Sequence, residues 1–595
     1  MQKTITPNFY PKETQTRNLK EISGFWKIVF DFEEKGEKYY SAMSATPENA
    51  RFIGVPGSYN DQFTEASIRD YVGNVYYYNE VIIGSDNQNN FIRFGSVNYY
   101  AKVYINGELI GEHSGGHMSF TLSIPAKFAN QNALLCVVVD NNLTKETIPP
   151  GERIDYTIEN EGVNFKKQNY HFDFFHYCGL NRKVYLLTTP KTYCYDATIV
   201  TKDIAGGKKA TLSYDLKISG DYDEIKIILK DNGKTVADIA NAELAGEIVI
   251  ENPTLWEVGI GGLHDFIIQL YKDGKLIDEA LERVGIRTVE IKGLEFLVND
   301  KPVYFKGFGR HEDTNILGRY IPEPILIRDY ELMKWTGANS FRTSHYPYAE
   351  ESMILADEMG FMVIDETSAV GLNEWNDAGA CWFDADLANE NTEKEHMHQL
   401  KELMSRDKNR ACVVMWSVSN EAATGDKKAP AYFEPLINYA KKIDNRPVTM
   451  ITHVAPEDEK CADMFDMICW NRYEGWYMHS GDISVANKLL GIELDKFYEK
   501  YKKPVMMAEF GVDTIEGIHS LPSRMFSEEF QVEFIEEYIR IMGERKYIIG
   551  EHVWNFADFQ TNQTTARVNG NRKGVFTRER QPKMIAHALR KIWKK

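Results

Sequence analysis

Apolar and polar positions change rhythm twice along this chain. Up to about residue 190 the apolar runs are short and mixed with polar positions, as in Trp26–Phe32, Ser96–Ile105 and Ala133–Val139. Side chains on an extended chain point alternately to opposite faces, so such runs predict half-buried strands. Asn106-Gly107 follows the second run, and both residue types tolerate the positive φ of a tight hairpin. Many short strands separated by turns predict a jelly-roll β-sandwich over residues 1–190. The pattern restarts near Thr188-Thr-Pro190. Alternating runs such as Ala210–Ile218 and Glu224–Leu229, with turns at Asp231-Asn-Gly and Lys272-Asp-Gly, predict an immunoglobulin-like β-sandwich over 191–288.

From residue 289 to 595 the rhythm becomes strand, polar tip, helix. Eight apolar cores fit it: 303–308, 339–344, 361–365, 412–418, 448–452, 465–470, 505–509 and 548–554. Helical patterns such as Ile325–Thr336 and Glu528–Met542 lie between most of them, and Pro582–Trp593 would close the series. Eight strand–helix units predict a (β/α)8 barrel, whose active site belongs at the C-terminal strand ends. The fourth core, Cys412–Val418, is apolar on both faces and stops at Ser419-Asn420-Glu421. A carboxylate beside an amide is poorly suited to core packing, so Glu421 is a candidate catalytic acid. The seventh core ends likewise in Glu509. Two carboxylates at one barrel mouth are what glycoside hydrolysis requires, one to protonate the leaving oxygen and one to attack or to activate water.

Composition narrows the alternatives. The net charge of −18 provides no basic field for nucleic acid or an anionic membrane, and an anionic substrate would need locally placed cations. The first residues, Met1–Gln15, contain no apolar signal core, and no run reaches a membrane span. The seven cysteines are odd in number and lack metal-ligand spacing; Cys136, Cys412 and Cys469 sit inside apolar runs and read as buried thiols of a reducing, cytoplasmic compartment. The sequons at Asn142 and Asn562 accordingly read as chance matches. His311 and His345 follow separate strands without HxH or HExxH spacing, so no metal is expected. Neither a GxSxG elbow nor a phosphate loop occurs.

Several longer strings carry a family resemblance: Gly307–Asp313, Gly337–Pro347, Val413–Glu421, Glu509–Thr514 and Val553–Phe559, with Val55–Asp61 and His176–Lys183 near the N-terminus and Pro253–Trp256 between. Together they resemble glycoside hydrolase family 2, and within it the β-glucuronidases, over nearly the whole chain. The resemblance implies a retaining exo-hydrolase with Glu421 as acid/base and Glu509 as nucleophile, needing no cofactor, and commonly a homo-oligomer, tetrameric or dimeric. It implies sugar contacts from Asp173, His345, Asn420, Asn471, Tyr473 and Trp554. It also implies a grip on the sugar's C6 carboxylate by Asn571 and Lys573, an Asn-x-Lys element, with Arg567 and Tyr477 nearby. Around Asp173 the order is Tyr-His-Phe-Asp where the family pattern has Tyr-Phe-His-Asp. That displaces the neighbouring histidine and keeps the aspartate. Some relatives carry a remote flavin, for which nothing here provides a signal. The other readings are a hydrolase of another uronide, such as a galacturonide, and a non-catalytic carbohydrate-binding relative. The loop 371–399 has little periodicity and should overhang the mouth, with Trp375, Trp382 and Phe383 facing the aglycone or pinning the loop. A fairly open site is expected from its length.

Overall fold

The alternating runs pair as their periodicity requires. In the computed structural model, which describes residues 4–158, 163–373, 382–383 and 387–594, the first sandwich has a six-stranded and a four-stranded antiparallel sheet. The six-stranded sheet runs in the order Arg51–Val55, Gly24–Phe30, Asn74–Ile82, Asn132–Asp140, Tyr100–Ile105, Glu108–His113. Its inward residues include Ile28, Val75, Val103 and Val137, which meet Ile92, Phe94 and Val184 of the other sheet in one core. Asn106 and Gly107 both adopt positive φ, at 48° and 81°, and join Tyr100–Ile105 to Glu108–His113 as predicted. A two-stranded ribbon, Gly151–Ile158 with Val163–Tyr170, was not foreseen; it leads directly into the loop that carries Asp173.

The middle region forms three-stranded and four-stranded sheets around Leu212, Ile227, Phe266 and Ile268, an immunoglobulin-like arrangement. Both predicted turns are present, with Asn232 and Asp273 at positive φ. Residues 289–303 depart from the expected start of the barrel. They fold into a small antiparallel sheet, Val289–Lys292, Glu295–Val298 and Lys301–Val303, and Phe296 packs edge-on against Phe305 at 4.8 Å. The turn at Asn299 and Asp300, both at positive φ, sends Lys301–Val303 back along its neighbour, so the barrel strand begins only at Phe305.

Eight parallel strands then close on themselves: β1 (Phe305–Gly309), β2 (Ser340–Arg342), β3 (Met362–Glu366), β4 (Val413–Asn420), β5 (Val448–Thr452), β6 (Ile468–Asn471), β7 (Val505–Phe510) and β8 (Ile548–Val553). The helices are α1 (Glu323–Thr336), α2 (Glu350–Met359), α3 (Glu390–Asp407), α4 (Ala429–Ile443), α5 (Ile483–Tyr501), α6 (Glu528–Gly543) and α7 (Met584–Trp593); between β5 and β6 the described chain has only a 3-10 turn. Every residue of β4 is buried, which explains why its sequence is apolar on both faces. The first sandwich is clamped to the barrel by buried ion pairs, Arg93 with Glu350 at 2.8 Å and Arg182 with Glu312 at 2.9 Å. No described helix is long and apolar enough to cross a membrane. The six described cysteines are free and buried; Cys381 lies outside the described residues.

Candidate active site

The barrel mouth begins with a backbone feature. β4 ends at Asn420, and Glu421 leaves the strand at φ 49°, a region that costs a non-glycine residue of order 1–3 kcal/mol and persists only when neighbours over-determine it. Here they do. The Glu421 N–H donates to the Ile451 carbonyl at 2.8 Å, and Asn373 Nδ2 donates to the Glu421 carbonyl. The side chain is thereby aimed across the mouth, where Asn471 Nδ2 from the end of β6 donates to its Oε1 at 2.9 Å.

Glu509 occupies the corresponding place on β7, and its environment differs. Arg342 from the end of β2 donates to Oε1, and the Tyr473 hydroxyl donates to Oε2 at 2.7 Å. Arg342 is fully buried and shared: it also donates to Glu366 at 2.6 Å and to Asn420 Oδ1 at 3.3 Å. Burial pushes Glu366 up, but the Arg342 charge, His345 and the Ser417 hydroxyl together hold that carboxyl below its usual range, so an ionised Glu366 keeps Arg342 in place. Burial raises both catalytic candidates. For Glu421 it dominates, opposed mainly by one amide hydrogen bond, and the pKa rises to about 7. For Glu509 burial also leads, and Arg342, His345 and Tyr473 all act against it. One carboxyl is placed to stay protonated near neutrality while its neighbour is served by a guanidinium and a phenol. That asymmetry can support acid and nucleophile roles side by side.

Aromatic side chains line the same mouth. Trp554 follows β8 and stacks on His345 with ring centres 5.0 Å apart. Gly309 makes this possible, since a Cβ there would stand 2.5 Å from the Trp554 ring. His345 Nδ1 lies 3.2 Å from Glu366, and its Nε2 lies 3.8 Å from Glu509.

The anion-binding candidates converge as well. Lys573 Nζ is ion-paired with Asp513 and 2.9 Å from the Tyr477 hydroxyl, and the residue is 1 % exposed. Arg567 bridges Asp173, at 2.6 and 3.0 Å, and Asp513, at 3.0 Å. Asn571 Nδ2 donates to Asp173 at 2.9 Å, and its Oδ1 accepts from the Lys573 backbone N–H at 3.0 Å. Asp173 therefore reaches from the first sandwich into the barrel mouth, near enough for its charge to help raise Glu421. Its loop is fixed by Phe175, whose N–H donates to Gln560 O and whose carbonyl accepts from Arg319. The displaced histidine, His171, meets Trp382 edge-on at 5.8 Å. Tyr473 links the two halves of the site: its hydroxyl bonds Glu509, and its ring lies 5.3 Å from Tyr477 and 5.9 Å from Lys573 Nζ.

All twelve residues expected at the site from the sequence thus lie at this mouth. Three participants were not among them: Arg342, Glu366 and Asp513. Asp513 is pushed up by burial but held below its usual range by Lys573 and Arg567, so it acts as their fixed counter-ion. The sequence carried partial signals: Arg342 and Glu366 stand at strand ends, and Arg342 and Asp513 lie inside the strings Gly337–Pro347 and Glu509–Thr514 that carry the family resemblance. Trp382 and Phe383 are buried, Phe383 against Tyr432 at 4.8 Å, so they pin the loop. Residues 374–381, Trp375 among them, and 384–386 lie outside the described residues, and residues 390–399, expected as loop, are the start of α3.

Two carboxyls at the ends of β4 and β7 of a parallel barrel, with unlike environments, define a glycoside hydrolase. Profiles for glycosyl hydrolases family 2 match the whole architecture: the sugar binding domain over 19–190, a middle domain over 187–287 and the TIM barrel domain over 289–595. The chain is 38 % identical to a β-glucuronidase of Paenibacillus borealis, covering 98 % of each. Among solved structures, a β-glucuronidase of an uncultured Clostridium species aligns with a TM-score of 0.92 at 40 % identity, covering 99 % of this chain and all of that one. The Ruminococcus gnavus β-glucuronidase in complex with D-glucaro-d-lactam aligns at 0.91 and 36 % identity, covering 99 % and 100 %. This chain belongs to glycoside hydrolase family 2.

Proposed function

We propose that the enzyme is a retaining exo-β-glucuronidase, releasing glucuronate and an alcohol from β-D-glucuronides. The observation that carries this reading is the pair of cations, Lys573 buried and Arg567 partly so, beside the carboxyls. Lys573 and Arg567, with the Asn571 amide, form a compact donor set for a carboxylate, separated from Glu509 by one tyrosine ring. In a chain of net charge −18 such a set is a specific anion site and not part of a general basic surface.

Glu509 attacks the anomeric carbon, and an ester bond forms as the glycosidic bond breaks. Glu421 gives its proton to the departing oxygen, which leaves as the alcohol. Glu421, now a carboxylate, takes a proton from water. The resulting hydroxide attacks the anomeric carbon, the ester breaks, and glucuronate leaves with its original configuration. Arg342 and Tyr473 hold the Glu509 carboxylate in line. Asn420 is set to bond the 2-hydroxyl, a contact that strengthens as positive charge develops at the anomeric carbon. Trp554 forms the floor, Asp173 and His345 face ring hydroxyls, and Asn471 orients Glu421. Every group in this scheme belongs to the chain itself. The six described thiols, all buried and unpaired, support a reducing, cytoplasmic setting. The enzyme is read as a homo-oligomer, tetrameric or dimeric, and light scattering measures the stoichiometry.

Paired assays test the reading. p-Nitrophenyl β-glucuronide should be turned over about 5- to 150-fold faster than the galacturonide epimer, since a missed buried hydroxyl partner costs about 1–3 kcal/mol. Equal rates, or a faster galacturonide, would move the assignment to that sugar. The acid role has its own signature. Because Glu421 stays protonated up to about pH 7, kcat/KM for substrates with poor leaving groups should fall about tenfold per unit as the pH rises beyond that point. Glu421→Gln should remove the limb, and a limb that survives it would exclude Glu421 as the acid.

A further inference from the structure

Where the first sandwich meets the barrel helix α3, three ligand-type side chains come together. His113 is the last residue of the strand Glu108–His113, and His398 and Glu402 stand four apart on one face of α3. His113 Nε2 lies 3.1 and 3.2 Å from the two Glu402 oxygens, and His398 Nε2 lies 3.5 Å from Glu402 Oε1. One ligand atom from each falls within 4.8 Å of the others. Ligands of a tetrahedral zinc ion at about 2.0–2.1 Å stand roughly 3.4 Å apart, so the Glu402 contacts already have that spacing. The two imidazole nitrogens, which lie within 4.8 Å of each other, would need to close to about 3.4 Å.

We propose that His113, His398 and Glu402 form a binding site for a divalent transition-metal ion of the Zn2+ class, joining the first sandwich to α3. Two imidazoles and one carboxylate are a ligand set that suits zinc, with water completing the tetrahedron. The His113 ring is preorganised by stacking on Phe120, 4.3 Å between centres and 9° between planes. Its Nδ1 is buried without a partner, so Nε2 is the polar outlet of the ring. The three residues grade from buried to open, with side chains 7, 23 and 47 % exposed for His113, Glu402 and His398. An ion can therefore enter from the His398 side and retain a solvent ligand there. The residues are 289 positions apart at the extremes, and the group has no local spacing signature. None of them touches the catalytic carboxyls, so the ion's role is to tie two domains together by binding only when they are docked.

The test uses the full chain, stripped of metal and titrated separately with Zn2+ and Co2+. The wild type should take up one ion per chain, Co2+ should develop visible bands of a low-symmetry four- or five-coordinate site, and Zn2+ should raise the apparent melting temperature. His398→Ala removes an exposed ligand with little threat to folding, and Glu402→Gln keeps the shape while removing the charge. Each should weaken uptake at least about tenfold, since even outer-shell partners of metal ligands are worth 10–100-fold. Both should abolish the Co2+ bands and the Zn2+-dependent stabilisation while leaving glycoside hydrolysis unchanged. Absence of one-to-one uptake by the wild type, or uptake altered less than about tenfold by His398→Ala, would overturn the proposal and leave an ordinary His–Glu ion pair.

Discussion

Replacing Lys573 by methionine or alanine is expected to lower kcat/KM on p-nitrophenyl β-glucuronide by about 10²–10³-fold, because truncating one partner of a buried, hydrogen-bonded charge pair costs 2–5 kcal/mol or more. Lys573 is the deepest cation of the anion site, and its partners explain the size of the effect. In the free enzyme it is neutralised by Asp513 and bonded to Tyr477. An arriving sugar carboxylate must share these donors, so the interaction is formed in a preorganised and nearly dry place. Methionine retains most of the packing volume, which separates lost charge from lost shape. The variant leaves Asp513 with Arg567 as its remaining cation at this site, so some loss of stability should accompany it; thermal melting measures that separately. Arginine should rescue poorly, because a planar fork does not fit where an ammonium is 1 % exposed. Glucuronide turnover within about threefold of wild type in a folded Lys573→Met protein would remove the basis for choosing a uronide.

The second large effect separates the two carboxyls. Glu509→Gln should abolish turnover of every substrate, a loss of at least about 10⁴-fold, since removing the nucleophile leaves only binding and electrostatic assistance. Glu421→Ala should behave differently with leaving-group chemistry. With dinitrophenyl glucuronide, whose phenolate departs without a proton, the glycosyl-enzyme should still form and appear as a burst. Steady-state release should then be slow, because no base activates water, and azide should restore it by attacking directly as a small anion. The structural reason for the split is visible in what each carboxyl touches. Glu509 receives Arg342 and Tyr473, while Glu421 receives the Asn471 amide. Equal inactivation of both variants on the activated substrate, with no burst for Glu421→Ala, would refute the division of roles.

Much of this site could be read before any tertiary structure, for identifiable reasons. β4 announced itself because a strand covered on both sides must be apolar at every position, so the sudden Ser-Asn-Glu stood out against it. Glu509 stood out in the same way at the end of β7. Hairpins at Asn106-Gly107, Asn232-Gly233 and Asp273-Gly274 were readable because few residues accept positive φ. The start of β1 was less clear: Lys301–Val303 has strand character, and only pairing partners show that it belongs to a different sheet. Arg342, Glu366 and Asp513 were the harder cases. A charged residue at a strand end carries no mark of whether it is solvated, structural or aimed at a catalytic group.

The chain's own residues determined the periodicities, the order of two sandwiches and a barrel, and two carboxyls and an Asn-x-Lys element as candidates for chemistry. These are local properties, set by backbone sterics and by which side chains leave water, and they persist in a linear reading. The tertiary structure alone decided that Asp173 crosses from one domain to meet Asn571 and Arg567 in another. It also decided that one buried arginine serves both Glu366 and Glu509, and that Glu421 lies where burial raises its pKa to about 7. Those outcomes depend on distances between residues hundreds of positions apart and on how much water is excluded around them. Coulomb energies scale with separation and local dielectric, and neither quantity exists until the chain has closed on itself.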